Sequence, residues 1–84
     1  MEKAKITMVV AASKALEYKN KNPKAEAEEI FQYIMEEIKT GKFEKAAAIA
    51  AVTKALQYKE EKMNDKEILQ KIMEQLDNLI SNIE

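Results

Sequence analysis

The chain contains no cysteine, histidine, tryptophan or arginine, and only one glycine and one proline in 84 residues. Each absence removes a class of chemistry. Without cysteine there is no disulfide, no thiolate nucleophile and no thiolate metal site, and cysteine usage says nothing about the redox compartment. Without histidine the commonest general base and transition-metal ligand is missing, which excludes a Ser–His–Asp triad and a helical Glu-x-x-His di-iron site. All 14 basic residues are lysines, so bidentate guanidinium forks to guanine edges, phosphates or carboxylates are excluded as well. Carboxylates and lysines are what is left for catalysis, and the expectation is a protein that is not an enzyme and needs no cofactor or metal.

Long hydrophobic runs are also lacking. The longest, Ala46 to Val52, falls well short of the ~20 residues that cross a bilayer. Met1-Glu2-Lys3-Ala4-Lys5 followed by Ile6 to Ala12 has the outline of a charged leader and an apolar stretch, but Thr7 interrupts it and it runs into a helical pattern, so it reads as the start of a helix. A cytoplasmic protein with no membrane contact is expected. Fourteen lysines oppose 15 acids for a net charge of −1, so no overall field draws in nucleic acid or an anionic surface. The 46% hydrophobic and 35% charged composition is that of a folded chain rather than a disordered one. Its length is that of one small domain, residues 1–84.

An internal repeat organises what is present. Ser13-Lys14-Ala15-Leu16-Glu17-Tyr18-Lys19 returns forty residues later as Thr53-Lys54-Ala55-Leu56-Gln57-Tyr58-Lys59. Ile30-Phe31-Gln32-Tyr33-Ile34-Met35-Glu36-Glu37-Ile38 returns thirty-eight later as Ile68-Leu69-Gln70-Lys71-Ile72-Met73-Glu74-Gln75-Leu76. The difference of two falls between the blocks, where a loop absorbs it. The pattern predicts a duplicated unit, approximately 5–40 and 45–82, each copy a helix, a short loop and a second helix.

Helices are expected over roughly 3–21, 23–40, 43–61 and 65–83. Asn22-Pro23 reads as a cap and a first-turn proline, Gly41 as a left-handed terminator after Thr40, and Asn64 with Glu67 as a capping box stapled by Met63 and Ile68. No window alternates as a strand does. In the fourth helix Leu69, Ile72, Leu76, Leu79 and Ile83 form a stripe that Ile68, Met73 and Ile80 widen; Ile30, Phe31, Ile34, Met35 and Ile38 repeat that frame in the second. The first and third helices carry few large apolar residues (Val9 with Ile49, Leu16 with Leu56) among many alanines. Alanine lets axes approach, so these two are expected at the centre, covered by the bulkier pair. Short connections make neighbours antiparallel. The fold class is therefore all-α, an up-down-up-down four-helix bundle of two tandem helical hairpins.

The repeated [Ser/Thr]-Lys-Ala-Leu-x-Tyr-Lys segment is the one conspicuous motif. Lys14 and Tyr18 share a helix face, as do Lys54 and Tyr58. They are candidates for symmetric partner contacts, or for tyrosines that cap the core ends beneath lysine stems. Met8, Val10, Tyr33 and Phe43 lie outside the expected core stripes and are candidates for an interface. Residues 2–21 and 43–62 are net basic, +3 and +1, while 23–39 and 65–84 are each −3, which favours the alternation of neighbours; Glu26, Glu28, Glu29, Glu36 and Glu37 read as a solvated face rather than a cation site. The expected function is a non-catalytic interaction or regulatory module, binding a protein partner or a second copy of itself. Alternatives are a small nucleic-acid-associated regulator using lysines of the first and third helices, and an apolar small-molecule site between the repeats.

Overall fold

The fold follows from the two alanine-rich helices, α1 (Glu2–Lys21) and α3 (Lys42–Glu60), which make the most extensive contact in the molecule. The structure, a computed structural model, describes residues 2–38 and 41–83, without the side chains at 2, 42, 43 and 83. The remaining helices, α2 (Ala27–Glu37) and α4 (Asp65–Ile83), each rest on both α1 and α3. Among the described residues α2 and α4 make no contact with one another, and there is no strand. The result is an all-α bundle with α1 and α3 as its short diagonal, 32 × 25 × 16 Å across the Cα positions.

Cross-helix bonds give the directions. Asn20, near the end of α1, bonds both Lys59 near the end of α3 and Asp65 at the start of α4, while Lys5 pairs with Asp77. Lys14 and Tyr18 of α1 reach Glu37 and Glu29 of α2. So α1 and α3 run parallel, with α2 and α4 antiparallel to them, as an up-down-up-down order requires.

Two apolar clusters fill the interior. One joins Ala11 and Ala15 of α1 with Ile30 and Ile34 of α2, Ile38 just after it, and Ala48 and Val52 of α3; Leu56 packs against it. The other joins Met8, Ala12 and Leu16 of α1 with Ala51 and Ala55 of α3 and Ile68 and Ile72 of α4; Leu76 packs against it. Positions forty apart in α1 and α3 thus trade clusters: 11 and 15 face one, 51 and 55 the other; 8, 12 and 16 face the second, 48, 52 and 56 the first. Positions thirty-eight apart in α2 and α4, 30 with 68 and 34 with 72, do the same. Alanine at these central positions removes the Cβ branches that would hold α1 and α3 apart. Thr7, buried near the start of α1, donates its hydroxyl to the Lys3 carbonyl at 2.8 Å, so its polar atom is satisfied.

Several expectations are corrected. Helix α2 starts at Ala27, not Pro23. Asn22-Pro23-Lys24-Ala25 is a turn closed by Ala25 N–H to the Asn22 carbonyl at 2.9 Å, with proline at its second position. The Asn22 side chain donates back to the Tyr18 carbonyl at 3.2 Å and closes α1 instead of capping α2. Gly41 has φ −74° and ψ 177°, an extended residue that precedes α3 and donates its N–H to Glu44 Oε1 at 3.2 Å. The left-handed position is Lys62, φ 66°. Its N–H bonds the Lys59 carbonyl at 3.0 Å and the Met63 N–H bonds the Tyr58 carbonyl at 3.3 Å, which is a Schellman ending for α3 with lysine where glycine is usual. Val9 and Ile49 are not core positions, since one is half-buried and the other exposed.

The start of α4 is as expected. Glu67 N–H donates to Asn64 Oδ1 at 2.9 Å, and the amide of Asn64 donates to Glu67 Oε1 at 2.7 Å, so the acid meets the cap's side chain and not its backbone. Met63 and Ile68 both join the cluster under α4.

Candidate functional site

The two copies of the motif are used differently. In the first, Lys14 Nζ lies 3.6 Å from Glu37 Oε1, and the Tyr18 hydroxyl donates to Glu29 Oε2 while its ring lies 4.7 Å from that of Tyr33, tilted by 34°. The Glu29 carboxylate accepts a hydrogen bond from the phenol and so favours the protonated form, which raises the Tyr18 pKa above the usual tyrosine value; partial burial and the negative charge of Glu29 act in the same sense. In the second, the Tyr58 hydroxyl accepts from Gln75 Nε2 at 2.6 Å. Lys54 is half-buried, with no ion pair among the described residues. Gln75 stands where Glu37 stands in the first copy, and the charge that held Lys14 is absent from it. Both tyrosines are half-buried and pack against the clusters, so each braces one hairpin from the side.

A second polar group joins α1, α3 and α4. Lys59 Nζ donates to Asp65 Oδ1 at 2.7 Å and to Asn20 Oδ1 at 2.8 Å, and Asn20 Nδ2 donates to Asp65 Oδ2 at 2.6 Å. The hydrogen bond from Lys59 holds the Asp65 carboxyl below its ordinary value; burial opposes it, and the Asn20 hydrogen bond and the charge of Lys59 act with it. Each polar atom of this trio meets another, a structural clasp at the open end of α1.

Met8 does not lie beyond the core. It is fully buried among α1, α3 and α4, because the inward face of α1 is fixed by Ala4, Ala11, Ala12 and Ala15 and position 8 falls on it. Tyr33 is half-buried against Tyr18, and the Phe43 side chain lies outside the described residues. Val10, one of the expected interface residues, is exposed. Ile6 and Ile49 are also exposed, and so is Met73, which the fourth-helix pattern places in the buried stripe; Ile6 is 62% exposed and Met73 58%. Ile6 and Val10 are four apart on the side of α1 opposite its alanines, a spacing the sequence displays.

Two open grooves lie on the outer faces of α2 and α4. One is formed by Glu28, Phe31, Gln32, Met35 and Glu36. The other is formed by Lys66, Leu69, Gln70, Met73 and Glu74, position for position thirty-eight residues later. A smaller recess of about 130 Å³ lies between α1, α2 and α3, lined by Lys19, Ala25, Ile30, Leu56 and Lys59 among others. It is below the roughly 300–1,000 Å³ that ordinary ligand sites occupy. Among the described residues no group of acids could hold a metal ion, and no helix is long and apolar enough to cross a membrane. Comparison with protein-family models, with curated proteins and with solved structures finds no match to this chain.

Proposed function

We propose that this protein is a non-catalytic helical interaction module that binds a second copy of itself or another protein through the outward faces of its helices. The observation that carries the reading is the set of large apolar side chains left in solvent: Ile6, Val10, Ile49 and Met73. Single exposed apolar residues are ordinary, but here Ile6 and Val10 adjoin one another on α1, and Met73 lines a groove with Leu69. A domain of this size leaves much of its unfolded surface exposed, and association covers part of it.

The nucleic-acid alternative receives less support. Four lysines of α1 and α3 already have partners within the chain: Lys5 with Asp77, Lys14 with Glu37, Lys59 with Asp65, and Lys19 with the Ala25 carbonyl. We also infer that the two hairpins descend from one, a reading supported by the matched blocks and by the exchange of core positions at offsets of forty and thirty-eight.

Size-exclusion chromatography with light scattering, together with capture of partners from the native cell, tests the interaction reading. Concentration-dependent mass, or a protein whose capture is lost on replacing Val10 or Met73 with lysine, is the expected result. A strict monomer at high concentration that captures nothing overturns it. Salt-sensitive binding to duplex DNA would replace it with the nucleic-acid reading.

A further inference from the structure

The grooves on α2 and α4 are lined at corresponding positions: Phe31 corresponds to Leu69, Gln32 to Gln70, Met35 to Met73 and Glu36 to Glu74. They differ in one charge. The α2 groove opens with Glu28 and closes with Glu36, whereas the α4 groove opens with Lys66 and closes with Glu74. All four residues are exposed, and none of their side chains has an ion pair or hydrogen bond among the described residues. Their charges remain available to another molecule.

That difference decides which surfaces can meet. Two α2 grooves face each other with glutamate against glutamate at both ends, in either direction. An α2 groove against an α4 groove gains one attractive pair and one repulsive pair, again in either direction. Two α4 grooves laid parallel set lysine on lysine and glutamate on glutamate. Laid antiparallel, they set Lys66 of each copy against Glu74 of the other, and both pairs attract. The two charges are eight residues apart, about 12 Å along the helix, so the two-fold axis falls at Gln70, whose amide can bond its own counterpart. Leu69 and Met73 then lie on either side of the axis, where solvent is lost. This is the self-complementary patch that a two-fold dimer requires.

We propose that α4 is a self-recognition surface, in which two copies of this protein dock antiparallel through Leu69 and Met73 with reciprocal Lys66–Glu74 pairs. The proposal rests on the interaction-module reading and names the partner and the face. Five residues line the groove, against the roughly 20–30 a side of a standard interface, so the dimer is weak and reversible, with a dissociation constant on the order of 100 μM.

Sedimentation equilibrium of the full chain up to about 1 mM tests it, with far-ultraviolet circular dichroism to show that each variant is folded. The wild type is expected to dimerise, and added salt to weaken the dimer. Glu74→Lys places lysine against lysine at both ends and is expected to weaken association about tenfold or more; Lys66→Glu places glutamate against glutamate and serves equally if the first variant fails to fold. The double exchange Lys66→Glu with Glu74→Lys restores both pairs with their signs reversed, and recovery to within about threefold is expected. A wild-type dimer that neither single reversal weakens overturns the α4 surface and leaves the interaction reading intact. A wild type still monomeric at about 1 mM overturns self-recognition altogether, and the interaction reading then stands or falls on capture of a different protein.

Discussion

Ile34 and Ile72 occupy corresponding places thirty-eight residues apart, each fully buried, one under α2 and the other under α4. Replacing either with alanine removes three carbon groups, a transfer loss of about 2–2.5 kcal/mol. The walls are alanines and isoleucines on three helices, with Val52 beside Ile34 and Met8 and Leu16 beside Ile72; the helices that carry them collapse little into the space, so the cavity left behind brings the cost to about 3–4 kcal/mol. A domain of this length has roughly 4–13 kcal/mol of total stability, so each change lowers the melting temperature by roughly 10–30 °C. Because the two sites have matched surroundings, the two costs should agree to within about 1 kcal/mol, read from urea titrations with unchanged slope. Met73→Ala, at an exposed position of α4, is the control and should shift stability by no more than about 0.5 kcal/mol. The reasoning is refuted if either isoleucine costs less than about 1 kcal/mol, or if one costs twice the other.

Lys62→Gly relieves the left-handed residue that ends α3 and should stabilise the fold by about 0.5–1 kcal/mol in the same titration; a loss of stability would contradict the assigned conformation. Glu29→Gln withdraws the charged acceptor from the Tyr18 hydroxyl, and the phenolate absorbance of that tyrosine should then appear at lower pH, nearer the ordinary value of about 10. Asp65 has its pKa lowered in the fold by Lys59, so its contribution is present above the unfolded value of about 3.9 and is lost as pH falls through the folded one. Asp65→Asn should therefore flatten the acid side of the stability–pH curve. It should cost no more than about 1 kcal/mol at neutral pH, because the pair is partly solvent-exposed.

The parts of the fold legible in the sequence are those where large apolar residues repeat at three and four. That pattern places α4 and its counterpart α2 on a core, and Ile30, Ile34, Ile68 and Ile72 are buried accordingly. It fails on α1 and α3, because alanine occupies several sides of each helix and a large residue such as Val9 or Ile49 then looks like the marker of the inward face. Met8 was misread for the same reason. The α2 start is illegible because Asn-Pro is both a cap signal and a turn signal; the fold uses it as a turn, across which Lys19 Nζ bonds the Ala25 carbonyl at 2.7 Å. Nothing in the sequence marks Lys62 as left-handed. Of the motif, the side chains were found but not their partners, since the replacement of Glu37 by Gln75 only matters once α1 and α2 are known to lie together.

The arrangement of the four helices is tested most directly by methyl–methyl nuclear Overhauser effects in solution. The Ala11 and Ala15 methyls should show cross-peaks to Ile34, and those of Ala51 and Ala55 to Ile72, with none between the isoleucines of α2 and those of α4. Cross-peaks joining Ile30 or Ile34 to Ile68 or Ile72 would put the outer helices side by side and contradict a bundle built on a central alanine pair.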